Sequence, residues 1–164
     1  MWQPAMLRID AKVEFATAAD VDEIGVLSRE YVEYGLGWKY TPERLLKLIS
    51  NKTKNVVVAR SGSQLAGFGI MTYNDDSANL DLLAVKIRYR RGGIGRQVVE
   101  WLELVARNAG IANIFVQVRK LNRGAIKFYR KLGFNVIDEK SGYYRGRETG
   151  VIMCKHIRPM IDAT

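Results

Sequence analysis

Cysteine is almost absent from this chain: Cys154 is the single one among 164 residues, which excludes an internal disulfide. It lies in an apolar run and reads as a small buried hydrophobe, with a reactive thiol as the alternative. Histidine is equally scarce. With His156 alone, and no His/Cys/Asp/Glu group at metal-ligand spacing, neither a metal centre nor a Ser-His-Asp triad is expected. No apolar run reaches the roughly 18 residues of a membrane span. The opening residues, Met-Trp-Gln-Pro-Ala-Met-Leu-Arg-Ile-Asp, hold no basic segment followed by a long apolar core, so no signal peptide is expected. These gaps point to a reducing, cytoplasmic setting. Repeats, low-complexity tracts and linkers are missing too. One domain over residues 13–158 is expected, with an extension at 1–12 and a tail at 159–164.

Acid is what the middle of the chain lacks. Residues 86–131 hold 12 Lys/Arg against 2 Asp/Glu, while the remainder holds 14 against 15. The whole formal excess of +9 therefore sits in one segment. A solvated helix face or a nucleic-acid surface would produce such a cluster. A site for a small polyanion would as well, and the glycines beside the charges favour that reading.

Those glycines belong to the stretch from Leu80 to Ala106. Leu80 to Val85 is apolar except for Asp81 and has the length of a buried strand. Arg88 to Gly95 is basic and glycine-rich. From Ile94 onward apolar residues recur at 98, 101/102, 105 and 109, the period of an amphipathic helix. The first N–H groups of a helix lack partners within it, and the helix dipole adds partial positive charge there. Gly92, Gly93 and Gly95 let those groups approach a phosphate with no Cβ in the way. Arg90, Arg91 and Arg96 add full charges, so the loop reads as a pyrophosphate cradle. It is not a P-loop, which ends in Lys-Ser/Thr. Nor is it a dinucleotide fingerprint, because Val98 stands where the third glycine belongs.

What stands is Arg90-x-x-Gly93-x-Gly95. This resembles the acetyl-CoA signature R/Q-x-x-G-x-G/A of the GCN5-related N-acetyltransferases (GNAT). One helix and one strand downstream, Asn122-Arg-Gly-Ala-Ile-Lys-Phe-Tyr-Arg-Lys-Leu-Gly-Phe134 resembles the N-x-x-A-x-x-F-Y-x-K-x-G-F segment of the same family. The resemblance runs from about Phe15 to Met153 and is nearest to the ribosomal-protein N-terminal alanine acetyltransferase branch. It implies acetyl-CoA as cosubstrate, CoA as product and an amine as acceptor. It places the pyrophosphate on Arg90 to Arg96, Ile94 included. It also implies two parallel strands, one ending at Val85 and one starting at Asn113, that splay apart. The backbone of Leu83, Ala84 and Val85 would then hydrogen-bond the pantetheine arm.

Taken in order, the chain reads as a strand at Val13–Ala16, a helix begun by Thr17 and Asp20, and a second helix with Pro42 in its first turn. A hairpin of Asn55–Arg60 and Leu65–Tyr73 follows, then the strand ending at Val85. The long helix closes near Gly110, a left-handed cap. A strand over Asn113–Val118, a helix from Asn122 to Gly133, and strands over Phe134–Asp138 and Gly150–Cys154 complete it. Three sequential strands after the first helices favour an α/β (α+β) fold. The GNAT resemblance implies a mixed, mostly antiparallel sheet of six to seven strands flanked by about four helices.

Acyl transfer from a thioester to an amine needs an acid for the leaving thiolate. Asn122 and Tyr129 are two helical turns apart on one face, with the small Ala125 between them. The resemblance assigns pantetheine contact to Asn122 and Ala125 and the acid role to Tyr129; a core aromatic is the plain structural alternative for Tyr129. The general base is harder to find. The N-terminal acetyltransferase branch carries a glutamate where this chain has Gln117, and histone-type members carry one where Asn79 aligns. Asp81, on the strand face of Asn79, is the remaining candidate, with a strand-edge carboxylate paired to an arginine as the alternative. A site without a strong base suits an α-amine, pKa about 8, better than a lysine amine near 10.4. Glu33, Trp38 and Tyr40 at the first helix–helix junction, Gln117, and Tyr143 and Tyr144 between the last two strands are the candidate acceptor contacts. The expected activity is N-acetylation of a peptide N-terminus or small amine. An aminoacyl-tRNA acetyltransferase and a non-catalytic CoA-binding module are the alternatives. The expected partners are acetyl-CoA and an amine, with nucleic acid less favoured, no membrane, and a monomer or homodimer.

Overall fold

Thr17 and Asp20 start the first helix by bonding to each other: Thr17 N–H donates to Asp20 Oδ2 at 2.7 Å. Arg60 donates to the other carboxylate oxygen. Burial alone would raise the Asp20 carboxyl, but the Thr17 N–H and the Arg60 guanidinium outweigh it and hold the group below the ordinary carboxylate range. A single 3-10 turn, Ala18–Asp20, leads into α1 (Val21–Tyr31). In α2 (Pro42–Ile49), Pro42 occupies the first turn and Thr41 Oγ1 accepts from Arg44 N–H at 3.3 Å.

The computed structural model describes residues 9–35, 37–144 and 148–158, with the backbone alone for 143 and 144. The expectations for residues 1–8, for the tail at 159–164 and for the side chains of Tyr143 and Tyr144 lie outside the described residues. The strands are β1 (Lys12–Phe15), β2 (Lys54–Ser61), β3 (Gln64–Tyr73), β4 (Ser77–Val85), β5 (Asn113–Arg119), β6 (Asn135–Tyr144) and β7 (Glu148–His156). The remaining helices are α3 (Ile94–Asn108) and α4 (Arg123–Lys131). The seven strands run in the order β1-β2-β3-β4-β5-β7-β6. β1 pairs antiparallel with β2, and β7 antiparallel with both β5 and β6, while β4 and β5 run parallel. This is the mixed, mostly antiparallel α/β arrangement that the sequence implies.

The chain forms two compact units. One comprises the residues up to Ile70 together with Leu82–Trp101, the other Met71–Asp81 with the residues from Leu102 onward. In the first, Ile24, Leu27, Leu45, Val58, Phe68 and Ile70 belong to one core that includes Leu82 and Ala84 of β4. In the second, Leu102, Ala106, Ile114, Val116, Phe134 and Met153 are buried. Each of the helices α3 and α4 ends in a Schellman turn. Gly110 (φ 81°) and Gly133 (φ 98°) take the left-handed residue, Ile111 N–H donates to Ala106 O, and Phe134 N–H donates to Tyr129 O, both at 3.0 Å.

Two boundaries differ from the sequence reading. β6 runs on to Tyr144 rather than ending at Asp138, so Tyr143 and Tyr144, expected between the last two strands, belong to the strand itself. A register shift between Lys140 and Tyr144, with Gly142 at φ 69°, lets the hairpin continue to the Tyr144–Glu148 pair. The polar run that hid this strand is that of a solvated sheet edge. The N-terminal extension also holds ordered contacts: Lys12 already belongs to β1, and Ile9 is tied to residues far along the chain, as described next.

Candidate active site

The loop after β4 is built from positions that other residues would not fill easily. Lys86 N–H donates to Ala66 O at 2.8 Å, and Ile87–Tyr89 form one 3-10 turn with Tyr89 buried. Arg91 follows at φ 64°, the one described non-glycine residue with a left-handed backbone, and Gly93 has φ 83°. Such strain in a side-chain-bearing residue is a feature of binding loops. α3 then starts at Ile94, whose side chain is 1 % exposed, so its backbone N–H is the group it has to offer a ligand. Gly95 leaves the next N–H similarly uncovered by a Cβ.

The three arginines are not equivalent. Arg90 Nε donates to Val85 O at 3.1 Å, and its guanidinium lies 5.5 Å from the Tyr31 ring centre. Arg96 Nε donates to Glu100 Oε1 at 2.7 Å, a pairing across one helical turn. Arg91 makes no ion pair among the described residues and is the exposed, uncommitted cation of the loop. Gly92 is required for a different reason: Ile9 lies against it, and a Cβ there would come within 2.4 Å of Ile9 Cδ1. Ile9 N–H donates to Gly92 O at 3.0 Å, and Gln97 Nε2 donates to Ile9 O at 2.9 Å. This N-terminal brace had no signal in the sequence.

Parallel pairing of β4 with β5 covers Ser77–Leu80 and Asn113–Val116, and β4 then continues through Leu83, Ala84 and Val85. Gly67 of β3 allows close approach there: a Cβ on it would sit 2.6 Å from Ala84 O.

On the other unit, α4 begins at Asn122, whose Oδ1 accepts from Ala125 N–H at 3.1 Å. That bond caps the helix and leaves the Asn122 amide hydrogens to donate elsewhere. Tyr129 is the one buried residue described for α4, at 6 % exposure, and its ring meets Phe128 and Phe134 edge-on at 5.0 and 5.4 Å. The Schellman turn thus places Phe134 directly on the tyrosine.

Four polar side chains on β3, β4 and β5 form one chain. Thr72 Oγ1 donates to Asp81 Oδ2, Asn79 Nδ2 donates to Asp81 Oδ1 at 2.6 Å, and Gln117 Nε2 donates to Asn79 Oδ1 at 3.0 Å. A carboxylate can only accept, so Asp81 fixes which way the Asn79 amide points, and Asn79 fixes Gln117. The end that Gln117 turns away from Asn79 is therefore a carbonyl oxygen. Asp81 is bonded to a threonine and an asparagine, not to the arginine weighed as its alternative, and both its oxygens are engaged.

The expected acceptor contacts divide. Glu33 is buried and consumed by the fold: its carboxylate accepts from Ser28 Oγ at 3.0 Å, Lys39 N–H at 2.8 Å and Tyr40 N–H at 3.1 Å. It shapes the turn between α1 and α2 and has little left for a ligand, which corrects the sequence expectation. Trp38 Nε1 donates to Gly25 O at 3.1 Å, with Arg29 5.3 Å from its ring. Tyr40 lies under Arg44 at 5.3 Å. Both rings are held in place and partly exposed. Among the described residues no group of His, Cys, Asp or Glu could hold a metal ion, and no helix is long and apolar enough to cross a membrane.

The mixed seven-stranded sheet, with a basic glycine turn running into a helix after its fourth strand, is an N-acetyltransferase fold. The family model described as the Acetyltransferase (GNAT) family matches residues 24–134, more than half of the chain, and the chain belongs to that family. It is 37% identical over 93 residues to the ribosomal protein bS18-alanine N-acetyltransferase of Escherichia coli K12, covering 55% of this chain and 63% of that protein, under two thirds of the relative's length. It is 30% identical over 118 residues to spermidine N(1)-acetyltransferase of Thermoplasma acidophilum, covering 70% of this chain and 73% of the relative. The crystal structure of the E. coli ribosomal-protein-S18-alanine N-acetyltransferase matches with a TM-score of 0.80 at 23% identity, over 94% of this chain and 99% of that one. PaiA N-acetyltransferase of T. acidophilum, crystallised with coenzyme A, gives 0.76 at 24% identity, over 90% and 99%. At these identities the two structures show the fold.

Proposed function

We propose that the chain is an acetyl-CoA-dependent N-acetyltransferase whose acceptor is an α-amine, either a peptide N-terminus or a small amine of similar acidity. The observation that carries this reading is the loop before α3, with Arg91 and Gly93 at left-handed backbone angles directly ahead of a helix start, whose first N–H groups have no partner within the helix. Arg91 and the N–H groups of Gly92, Gly93, Ile94 and Gly95 bind the pyrophosphate. Arg90 and Arg96 act first on the protein, holding Val85 and Glu100, and contribute positive potential to the loop. Backbone groups of Leu83, Ala84 and Val85 take the pantetheine amides, as does Asn122 Nδ2, with Ala125 leaving room. Bound acetyl-CoA supplies an acetyl thioester open to attack by an amine.

The residues of the chain then manage protons. Tyr129 gives its phenolic proton to the departing thiolate, the role of a positioned acid. The ammonium proton of the attacking nitrogen passes to water. Gln117 Oε1 accepts a hydrogen bond from the acceptor amine and orients it. Asp81 is a positioning residue that acts through Asn79, which donates to its Oδ1. An α-amine near pKa 8 is partly neutral at pH 7 and needs no strong base, whereas a lysine amine is neutral less than about one time in a thousand.

An acceptor panel tests the reading. Thiol release from acetyl-CoA is expected with peptides bearing free N-termini, and less with N-terminally blocked lysine peptides. A strong preference for the lysine peptides would contradict the proposed acceptor, and no release with any amine would favour the non-catalytic module.

A further inference from the structure

A groove between α4 and the β6–β7 hairpin uses none of the residues assigned above. It encloses about 700 Å³ and is lined by five cations, Lys120, Arg123, Lys127, Arg130 and Lys131, over an aliphatic floor of Ile126, Val136 and Val151. Its one acid, Glu139, is held by Lys120 at 3.0 Å. Arg123, Lys127, Arg130 and Lys131 have no acidic partner among the described residues, and all four are exposed.

The helix dipole favours Arg130 and Lys131, which lie in the last turn of α4, but it does not favour Arg123 or relieve the repulsion along the stripe. Positions 123, 127, 130 and 131 fall on one helical stripe, where like charges one turn apart repel. The helix Arg123–Lys131 has no acidic residue of its own to relieve them, and Arg123 sits at the end where the helix dipole is already positive. A bound polyanion removes both penalties. The stripe extends about 12 Å along the axis, and its arginines can take phosphate oxygens in a two-pronged manner. The lining holds no aromatic side chain, so a strand here would be held by its phosphates, with the aliphatic side chains against its sugars, and not by base stacking.

We infer that this groove binds a single strand of nucleic acid through its phosphodiester backbone, independently of the acetyl-CoA cradle. Four uncompensated cations would displace about four counterions. The binding constant should then fall with a log–log salt slope near −3, or about fifty-fold between 50 and 200 mM salt.

The test is fluorescence anisotropy of the full chain with a labelled 12-nucleotide oligouridylate, its deoxy counterpart and a poly-glutamate peptide of equal charge. Expected is salt-dependent binding of the nucleic-acid strands that persists at saturating CoA and exceeds poly-glutamate binding at least tenfold. A preference for the ribo- over the deoxy-strand would identify RNA as the source, and equal binding any single strand. Lys127→Gln/Arg130→Gln should weaken binding at least fivefold at 50 mM salt and reduce the slope by about 1.4. Thiol release should be unchanged in that variant, which shows that it folds. Equal binding of poly-glutamate, displacement of the strand by CoA, or wild-type affinity in the double variant would each overturn the inference.

Discussion

Replacing Asp81 with asparagine separates its contribution to stability from the positioning role proposed for it in acetyl transfer. The substitution keeps the shape and removes the charge. The charge-assisted bond from Asn79 Nδ2 becomes a neutral one to the new amide oxygen, while the new amide nitrogen cannot accept from Thr72 Oγ1 and must donate to it instead. A hydrogen bond to a charged group contributes about 1.5–3 kcal/mol and a neutral one about 0.5–1.5, so the variant should lose roughly 2 kcal/mol of stability. The effect on turnover is a separate matter. If Asp81 orients Asn79 and through it Gln117, then Asp81→Asn loosens the acceptor, raising KM and lowering kcat less than tenfold. Removing a general base would instead lower kcat by about 10²–10⁴-fold. Steady-state kinetics with a peptide N-terminus over pH 6 to 9.5 distinguishes the cases. The account predicts kcat/KM rising through the α-amine value near 8 in both proteins, with the same shape. A loss of a hundredfold or more in kcat, with an altered pH profile, would refute the positioning role and make Asp81 the base.

Other consequences can be checked by unfolding experiments. Gly67→Ala puts a Cβ 2.6 Å from the Ala84 carbonyl and 3.3 Å from Val85 Cα, both backbone atoms, so neither can give way cheaply. It should cost about 1–3 kcal/mol, lowering Tm by roughly 3–10 °C, and weaken CoA binding through displaced β4 backbone. Unchanged stability and CoA affinity would contradict the close packing of the two strands. Asp20→Asn should destabilise the chain at pH 7 by roughly 1–3 kcal/mol through the Arg60 and Thr17 bonds. Because the Asp20 carboxyl is held below 3.8, its contribution is present above that pH and lost as pH falls through the folded-state value. The difference between the proteins in urea midpoint should therefore shrink toward pH 3, and a constant difference would argue against the ion pair. Burial raises the Cys154 thiol, so a thiol reagent should modify it slowly in native protein and rapidly once urea unfolds the chain.

The order of strands and helices was legible because apolar periodicity and turn residues are local signals. Gly110 and Gly133 mark helix ends at positions only glycine fills easily, and the basic glycine turn before Ile94 is where an anion site is proposed. What the sequence concealed depends on partners far apart along the chain. Glu33 resembles an exposed binding carboxylate until the turn folds its backbone N–H groups onto it. Ile9 braces Gly92 and, across 88 positions, Gln97. The polarity of Gln117 is set by Asn79, 38 residues away, and then by Asp81 and Thr72 on neighbouring strands. The continuation of β6 past Asp138 escaped notice because an edge strand need not alternate in polarity. The basic segment of the sequence, read as one cluster, separates into the loop before α3 and the stripe on α4.

The central claim is that this chain transfers acetyl groups with Tyr129 as the acid. Its most direct test is thiol release from acetyl-CoA in the presence of a peptide α-amine, for the native protein and for Tyr129→Phe. The account predicts steady release by the native protein and turnover at least tenfold lower in the variant, with the Kd for CoA nearly unchanged. Equal turnover in the two proteins would show that Tyr129 is a packing residue between Phe128 and Phe134 and that the acid lies elsewhere.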